Sequence, residues 1–360
     1  MAKPVNLELS SWPGWEEVGY LTLKRIIWQE QPISFKKAFP RTLSILIPDL
    51  QLLGRIPSYE ELLFFDLETT GLSGGAGTIA FLAAFGRFIP VQENNKINDS
   101  VKLQITQYLL LDYPGEPDFM DRLLLEFAPN PVNGRAPIIV SYNGKCFDSQ
   151  ILRNRCLMNG LKVPFYYHAD LLHPARRLWK QVLPDCSQST VETSILGLSR
   201  EGDVSGAFAP DIWFSFLKTG ENTALLSICE HNIKDISGLS SIFIALLDIA
   251  GNPLKNQGKY RFKEEALALY WAKLLKKFPG NFDDGIINSG RLLLEKAMEN
   301  GSVRVAIVLA KNAEWQLKNP LLALNYVETA LASPKIDNKI KEELETRQVR
   351  LLKKTINFDH

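Results

Sequence analysis

The distribution of apolar and polar positions divides the chain into three stretches. Residues 1–60 contain the apolar anchors Trp12, Trp15 and Trp28 and a Leu- and Ile-rich segment, Thr42–Leu53, that prolines interrupt. No regular period is visible here. The stretch predicts an N-terminal extension that packs on the neighbouring domain, and its aromatic residues serve packing rather than binding.

From Leu62 onward, short apolar runs alternate with amphipathic segments, which predicts an α/β domain over residues 61–251. The predicted strands are Leu62–Glu68, Ile79–Phe88, Lys102–Leu111, Pro137–Tyr142 and Phe165–Asp170. The predicted helices are Glu116–Phe127, Phe147–Gly160, Leu171–Leu183, Val191–Gly197, Pro210–Lys218 and Thr223–Ile249. Strands and helices in this arrangement indicate a mixed sheet flanked by helices.

The segment Gly251–Gly258 has the composition of a linker, and the pattern beyond it is almost entirely helical. Residues 259–360 therefore predict an all-helical C-terminal domain of stacked hairpins. The spacing of Ala323, Val327 and Ala330 loosely resembles tetratricopeptide helices, although a small helical bundle fits equally well. The predicted helices are Phe262–Phe278, Ile286–Asn300, Ser302–Lys318, Leu321–Ala332 and Asp337–Ile356.

Composition limits the possible classes of protein. With 360 residues, 41 basic and 40 acidic, the net charge is +1, so any binding of nucleic acid must use a local patch. The 4 cysteines form no CxxC pair, which argues against a zinc site or a disulfide framework. The N-terminus lacks the apolar core of a signal peptide and no apolar run is long enough to span a membrane, so we expect a cytoplasmic protein.

Candidate chemistry begins with Asp66 and Glu68, two positions apart in a predicted strand and therefore on the same face. Adjacent carboxylates repel each other unless a cation lies between them. A hard divalent cation such as Mg²⁺ or Mn²⁺ prefers oxygen ligands. The alternative is a strand end with two solvated acids before a Thr-Gly turn.

Two more carboxylates lie in comparable positions. Asp148 begins a predicted helix after a buried strand, and Asp235 lies on the late helix. The helix dipole alone would favour an acid at Asp148. With Asp66 and Glu68, however, they form a set of four acids from three elements, the minimum that could hold two divalent cations and clamp a phosphodiester.

Three segments resemble the motifs of the DEDD exonucleases of the ribonuclease H-like superfamily: Asp66–Leu72, Asn143–Asp148 and His231–Asp235. Gly74–Leu82 and Asp170–Trp179 further resemble the bacterial YprB-type group. The resemblance covers about residues 62–250. It implies an RNase H-like mixed sheet and a two-metal 3′→5′ exonuclease acting on single-stranded DNA or RNA.

The resemblance assigns the two cations to Asp66, Glu68, Asp148 and Asp235. DEDD exonucleases place a Tyr four residues, or a His five residues, before the last Asp, whereas His231 precedes Asp235 by four. His231 is predicted to position or deprotonate the attacking water; alternatively it only hydrogen-bonds a neighbour. The predicted substrate contacts are Thr69, Gly71, Leu72, Asn143, Lys145 and Phe147.

Other functions stay open at this point. A nucleic-acid-binding or scaffolding protein could carry weak or lost catalysis and bind a protein partner through its C-terminal helices, although the presence of all four acids argues against loss. A phosphatase-like metal site is a third possibility. Arg176 and Arg177 could contact phosphates, or one of them could pair with Glu192 inside the fold, while Asp170 could support the site from behind.

Overall fold

The computed structural model describes residues 12–34, 38–71, 77–93, 96–131, 133–277, 284–334 and 336–356. Within these ranges the chain forms seven strands and thirteen α-helices. The strands are β1 (Glu16–Gly19), β2 (Thr22–Ser34), β3 (Leu62–Thr69), β4 (Ala80–Glu93), β5 (Lys96–Leu110), β6 (Ile138–Ser141) and β7 (Tyr167–Asp170). The helices are α1 (Leu43–Leu46), α2 (Glu116–Leu124), α3 (Asp148–Met158), α4 (Leu172–Trp179), α5 (Gln188–Val191), α6 (Ala209–Thr219), α7 (Thr223–Gly251), α8 (Pro253–Tyr260), α9 (Glu264–Lys277), α10 (Asp284–Glu299), α11 (Val303–Trp315), α12 (Pro320–Leu331) and α13 (Asn338–Ile356).

All seven strands form one mixed sheet in the order β1-β2-β5-β4-β3-β6-β7. The half from β1 to β3 is antiparallel, and β6 and β7 continue it in parallel with β3. A mixed sheet with flanking helices, followed by a helical C-terminal region, confirms the predicted fold class. The likeness of that region to tetratricopeptide repeats stays a prediction.

The central strand β3 is buried on both faces of the sheet. Leu63, Phe65 and Leu67 point into a large apolar core that α2, α3 and α6 share. The alternate residue Phe64 packs edge-on against Phe243 of α7, at 5.8 Å between ring centroids. Because side chains alternate along a strand, Asp66 and Glu68 lie on the α7 face with Phe64.

A glycine in β4 brings α7 close to this face. A Cβ atom at Gly86 would lie 2.7 Å from Cγ2 of Ile236 and 3.1 Å from Cβ of Phe64. Real Cβ atoms essentially never come as close as 2.7 Å to another heavy atom, so the helix approaches the sheet at a position that glycine leaves open. Ile236 follows Asp235 directly, and the close approach therefore sets the height of Asp235 above the sheet.

The N-terminal stretch differs from its predicted role as a packed extension. Residues 16–34 form β1 and β2, and β2 pairs with β5 along most of its length. Alternation is hard to recognise there because β2 reads Thr-Leu-Lys-Arg-Ile-Ile-Trp-Gln-Glu, with charged residues on both faces. The strands of the β4–β5 hairpin are also longer than predicted, since β4 runs to Glu93 and β5 begins at Lys96.

The chain separates into two compact units. The first runs to Arg176 and includes Asp185–Gly251, and the second contains Arg177–Pro184 and the residues from Asn252 onward. The predicted linker Gly251–Gly258 is mostly helical, because α8 starts at Pro253 with the side chain of Asn252 accepting a hydrogen bond from Lys255 N. The predicted domain boundaries at residues 60, 251 and 259 stay a prediction.

Within the second unit, consecutive helices from α9 to α13 pack against one another. Alanine and valine side chains of α11 and α12 pack with Leu344 and Leu351 of α13 in one apolar cluster. The buried carboxylate of Glu314 is paired with Arg347, Arg350 and Lys354 of α13. Among the described residues of both units, every helix is too short or too polar to cross a membrane.

Candidate functional site

The end of β3 places two carboxylates beneath α7. Asp66 pairs with Ala84 of β4, and Glu68 pairs with Leu82. Glu68 is buried and Asp66 is partly exposed. The prediction that both side chains share one face of a strand is confirmed.

Asp148 is positioned by a tight turn between β6 and α3. Asn143 adopts a left-handed conformation with φ of 66°, and a Cβ atom at Gly144 would lie 2.8 Å from Oδ2 of Asp148. The buried carboxylate of Asp170 accepts hydrogen bonds from the backbone N–H of Asn143 at 2.8 Å and of Lys145 at 3.1 Å. Asp170 thus holds the turn that precedes Asp148.

His231 and Asp235 lie one turn apart on α7. Nε2 of His231 is 3.1 Å from Oδ2 of Asp235, and Nδ1 is 2.9 Å from Oδ2 of Asp203. One ligand atom each from Glu68, His231 and Asp235 fall within 4.8 Å of one another. The loop that carries Asp203 also covers this spot, since a Cβ atom at Gly206 would lie 3.0 Å from Nε2 of His231.

Arg200 fixes the other side of Asp235. Its Nη2 donates to Oδ1 of Asp235 at 2.6 Å and to Oε1 of the buried Glu192 at 2.9 Å. Gln188 adds a bond from its amide to the backbone carbonyl of Asp235 at 2.7 Å. The sequence had offered Arg176 or Arg177 as the partner of Glu192; the structure assigns that role to Arg200.

The carboxyl groups of the site disfavour one another's charge. Burial raises the pKa of Asp66 well above its usual range, and the charges of Asp235, Asp148 and Glu68 raise it further. Burial, with the charges of Asp235 and Asp148, raises the pKa of Glu68 to about 8 despite the opposing effect of His231. The pKa of Asp148 rises to about 7, chiefly through burial. The charges of the other three predicted acids thus all act on Asp66.

This donor set fits a divalent cation. Ligand atoms of Glu68, His231 and Asp235 lie within 4.8 Å of one another. The charges of Asp235 and Asp148 also raise the pKa of Asp66 and of Glu68, and a cation nearby would relieve that repulsion. Hard cations such as Mg²⁺ and Mn²⁺ take ligands of this kind. Asp66, Glu68, Asp148 and Asp235 are the residues that would hold them.

In this arrangement the imidazole ring of His231 is paired with carboxylates and is not placed as a free base. Burial lowers its pKa, but the hydrogen bonds to Asp235 and Asp203 outweigh burial and raise the pKa to about 9. At neutral pH the ring is then cationic and both nitrogens contact carboxylates. The role of His231 as a general base stays a prediction.

The predicted substrate contacts fall in different surroundings. Thr69 is buried and donates from Oγ1 to the carbonyl of Gly71 at 2.9 Å, so it stabilises the strand end. Asn143 is exposed, whereas Phe147 packs partly against the core. Nζ of Lys145 pairs with Asp49 at 2.5 Å rather than standing alone. Leu72 lies outside the described residues.

Several residues around the acids could not be recognised from the sequence. Asn232, between His231 and Asp235 in the chain, donates from Nδ2 to Oδ2 of Asp66 at 2.7 Å. Arg200 and Asp203 belong to a segment that the sequence identifies only as a polar loop. The sequence did contain a signal for Asn232, because this amide lies between the two candidate site residues His231 and Asp235 on one predicted helix.

A groove of about 570 Å³ lies against α6 and the first turns of α7, and its described lining includes neither His231 nor the four acids. Its lining comes from the loop after Asp203 and from α6 and the first turns of α7, and includes Val204, Phe208, Ile212 and Ser227. Ser227 precedes His231 by four residues and thus shares its face of α7. Phe208 is an exposed aromatic residue, and Asp211 and Glu221 give the groove an acidic rim.

Comparisons with known proteins cover the same part of the chain. A family model of the RNase_H superfamily matches residues 63–247, which is the segment from β3 into α7. The Uncharacterized protein YprB of Bacillus subtilis (strain 168) is 37% identical over 186 residues, a span that covers 51% of this chain and 41% of the relative. The match thus extends over about two fifths of that relative's length.

Proposed function

The chain belongs to the RNase H superfamily, and on that premise we propose that it is a nuclease dependent on divalent cations. In its more specific form, residues 61–251 constitute a 3′→5′ exonuclease domain for single-stranded DNA or RNA. The proposal is supported by the proximity of Glu68, His231 and Asp235, whose ligand atoms lie within 4.8 Å of one another. It is also supported by the charges of Asp235, Asp148 and Glu68, which raise the pKa of Asp66.

Each acid has a separable role in this proposal. Asp66 and Glu68 hold cations from the strand, while Asp148 and Asp235 approach from two helices. Two bound Mg²⁺ or Mn²⁺ ions would supply Lewis acidity toward the phosphodiester and lower the pKa of a water nucleophile. The residues contribute fixed positions, because short Asp side chains on a strand and at a helix start leave little freedom.

His231 and Arg200 control the geometry of Asp235. Arg200 is bonded to one carboxylate oxygen of Asp235 and His231 lies beside the other. Both contacts keep the carboxylate turned toward Glu68. We propose that His231 orients the water or holds its proton once the carboxylates carry their cations, a role that its imidazole chemistry supports.

The groove that Val204, Phe208 and Ser227 line is proposed to take the terminal nucleoside of the substrate. Its apolar lining suits a base and a sugar, and its acidic rim disfavours additional phosphates. Phe208 offers an exposed ring for base stacking, which tolerates any sequence. A single-stranded end satisfies this arrangement better than a duplex, whose bases are already stacked.

The test uses the full chain with oligonucleotides labelled at the 3′ or the 5′ end, as DNA and RNA, single- and double-stranded, with Mg²⁺, Mn²⁺ or EDTA. We expect stepwise loss from the 3′ end of single strands, with no reaction in EDTA. Asp66→Ala and Asp148→Asn should abolish cleavage while the far-UV circular dichroism spectrum stays unchanged. A wild-type protein that is inert on every substrate would refute the proposal.

A further inference from the structure

A row of side chains crosses the sheet from β2 to Asp66. The strand register places Arg25 opposite Gln107, Gln107 opposite Ala84, and Ala84 opposite Asp66. These positions share the face that α7 covers. The small side chain of Ala84 leaves the space between Gln107 and Asp66 open, and the side chain of Asn232 from α7 occupies it.

Three hydrogen bonds connect this row to the metal-binding acid. Nε of Arg25 donates to Oε1 of Gln107 at 2.6 Å, and Nε2 of Gln107 donates to Oδ1 of Asn232 at 2.7 Å. Nδ2 of Asn232 then donates to Oδ2 of Asp66 at 2.7 Å. In each hydrogen bond the donor belongs to the residue nearer Arg25, so all three hydrogen bonds point from Arg25 toward Asp66.

Because these side chains are buried, their hydrogen bonds must run in this direction. Gln107 and Asn232 are fully buried, and the side chain of Arg25 is 10% exposed. A guanidinium group can only donate, so Arg25 requires the oxygen of Gln107 to face it. The amide nitrogen of Gln107 then faces Asn232, and it also bonds the carbonyl of Cys229 at 2.9 Å.

The orientation of Asn232 follows from the same constraint. With Gln107 donating, Asn232 must present its oxygen to Gln107 and its N–H to Asp66. The reversed amide would put a carbonyl oxygen against a carboxylate and leave buried groups unpaired, which is costly. A charge three strands away from Asp66 in the sheet thus decides which end of the Asn232 amide faces the acid.

We propose that Arg25 is a positioning residue that fixes Gln107 and Asn232 and thereby holds Asp66 in its ligand orientation. This inference rests on the proposed function only in treating Asp66 as a metal ligand. Arg25 precedes the segment 63–247 that the family model matches, so β2 contributes to a site that lies otherwise within that segment.

The test compares Arg25→Met with Arg87→Met in the full chain. Arg25 pairs with Glu230 at 2.8 Å. Arg87 likewise lies in the sheet and pairs with a glutamate, Glu126, but on the face opposite Asp66. The readouts are Mn²⁺ affinity by calorimetry, the melting temperature in EDTA, and kcat and KM on a single-stranded oligonucleotide. Supporting groups behind metal ligands change affinity by roughly 10- to 100-fold, and we expect a loss of that order for Arg25→Met only.

Arg25→Lys is the milder variant, because it keeps the charge and a donor but not the fixed planar group. We expect its Mn²⁺ affinity and kcat to lie between those of wild type and Arg25→Met, with KM unchanged. Arg25→Met that binds Mn²⁺ as tightly as wild type would overturn the inference. Wild-type protein that binds Mn²⁺ without cutting nucleic acid would overturn the nuclease proposal alone.

Discussion

Gly238 faces the carboxylate of Glu192 so closely that a Cβ atom on it would lie 1.7 Å from Oε1. Gly238 is buried in the middle of α7, three residues after Asp235, and Glu192 pairs with the arginine that holds Asp235. The absence of one side chain therefore makes room for the ion pair of Glu192 and Arg200, which orients Asp235.

Gly238→Ala should displace Glu192 and, through Arg200, Asp235. We expect a destabilisation of about 1–3 kcal/mol from overpacking and a loss of nuclease activity larger than that destabilisation explains. Gly251→Ala at the end of the same helix is the control, because a Cβ atom there meets nothing within 4 Å. Chemical denaturation and cleavage rates for both variants check this. Wild-type activity in Gly238→Ala would show that Glu192 has no influence on the site.

Asp66→Asn should abolish cleavage and yet stabilise the metal-free protein. The pKa of Asp66 is raised by burial and by three neighbouring carboxylates, so a neutral side chain of the same shape relieves repulsion. We expect the free energy of unfolding in EDTA to rise by about 1 kcal/mol. Denaturant titrations with and without Mn²⁺ measure it, and the order of stability should reverse when Mn²⁺ is saturating.

Stability without metal should fall as the pH rises from about 5 to 9. Folding raises the pKa of Glu68 to about 8 and of Asp148 to about 7, chiefly through burial, so the folded state binds more protons than the unfolded state in this range. The stability that the folded state gains from these protons is fully present below the pKa values of the unfolded state. It is lost as the pH rises through the pKa values of the folded state. His231, with its pKa raised to about 9, acts in the same direction.

The measurement for this prediction is the unfolding free energy in EDTA at several pH values. We expect a loss of roughly 2 kcal/mol or more across the range, and a flatter profile for Glu68→Gln. A stability that increases between pH 5 and 9 in the wild type would contradict the placement of these carboxyl groups in one buried site.

Asp170→Ala should misplace Asp148 without touching it. The backbone N–H groups of Asn143, Lys145 and Leu172 would lose their acceptor, at a cost of roughly 3 kcal/mol. We expect weaker Mn²⁺ binding and a lower kcat. Asp185→Ala, which removes an exposed acid that accepts from a backbone N–H, controls for the loss of a carboxylate. Equal effects of the two variants on Mn²⁺ affinity would argue against the positioning role.

Phe208→Ala should raise KM for single-stranded oligonucleotides more than it lowers kcat. Base stacking on an aromatic ring is worth about 1–3 kcal/mol, so KM should rise by roughly 5-fold or more. Phe165 is also exposed and lies outside the groove, and Phe165→Ala should leave both constants unchanged. Steady-state kinetics on DNA and RNA provide the comparison.

The sequence predicted the acids because their signal is local. Asp66 and Glu68 lie at alternate positions at the end of an apolar strand. Asp148 follows a buried strand and a tight turn. Each can be recognised from fewer than ten neighbouring residues, and their joint order resembles a known set of motifs. The strands and helices of residues 62–250 were predicted for the same reason, with ends that differ by a few residues.

The residues that orient the acids could not be predicted in this way. Arg25 and Gln107 are 82 positions apart, and Asn232 and Asp66 are 166 positions apart. Nothing near Arg25 in the chain distinguishes it from a solvated surface arginine. The guanidinium of Arg25 joins the row only because β2 pairs in this register with β5, a strand that lies far away in the sequence.

The strand order also limits how the molecule can be divided. A fragment cut at residues 63–247 begins after β2 and so leaves the hydrogen-bonding edge of β5 bare. A long unpaired edge invites pairing with another copy, and such a fragment should self-associate. Solubility of a truncated protein therefore depends on a strand that the family match does not include.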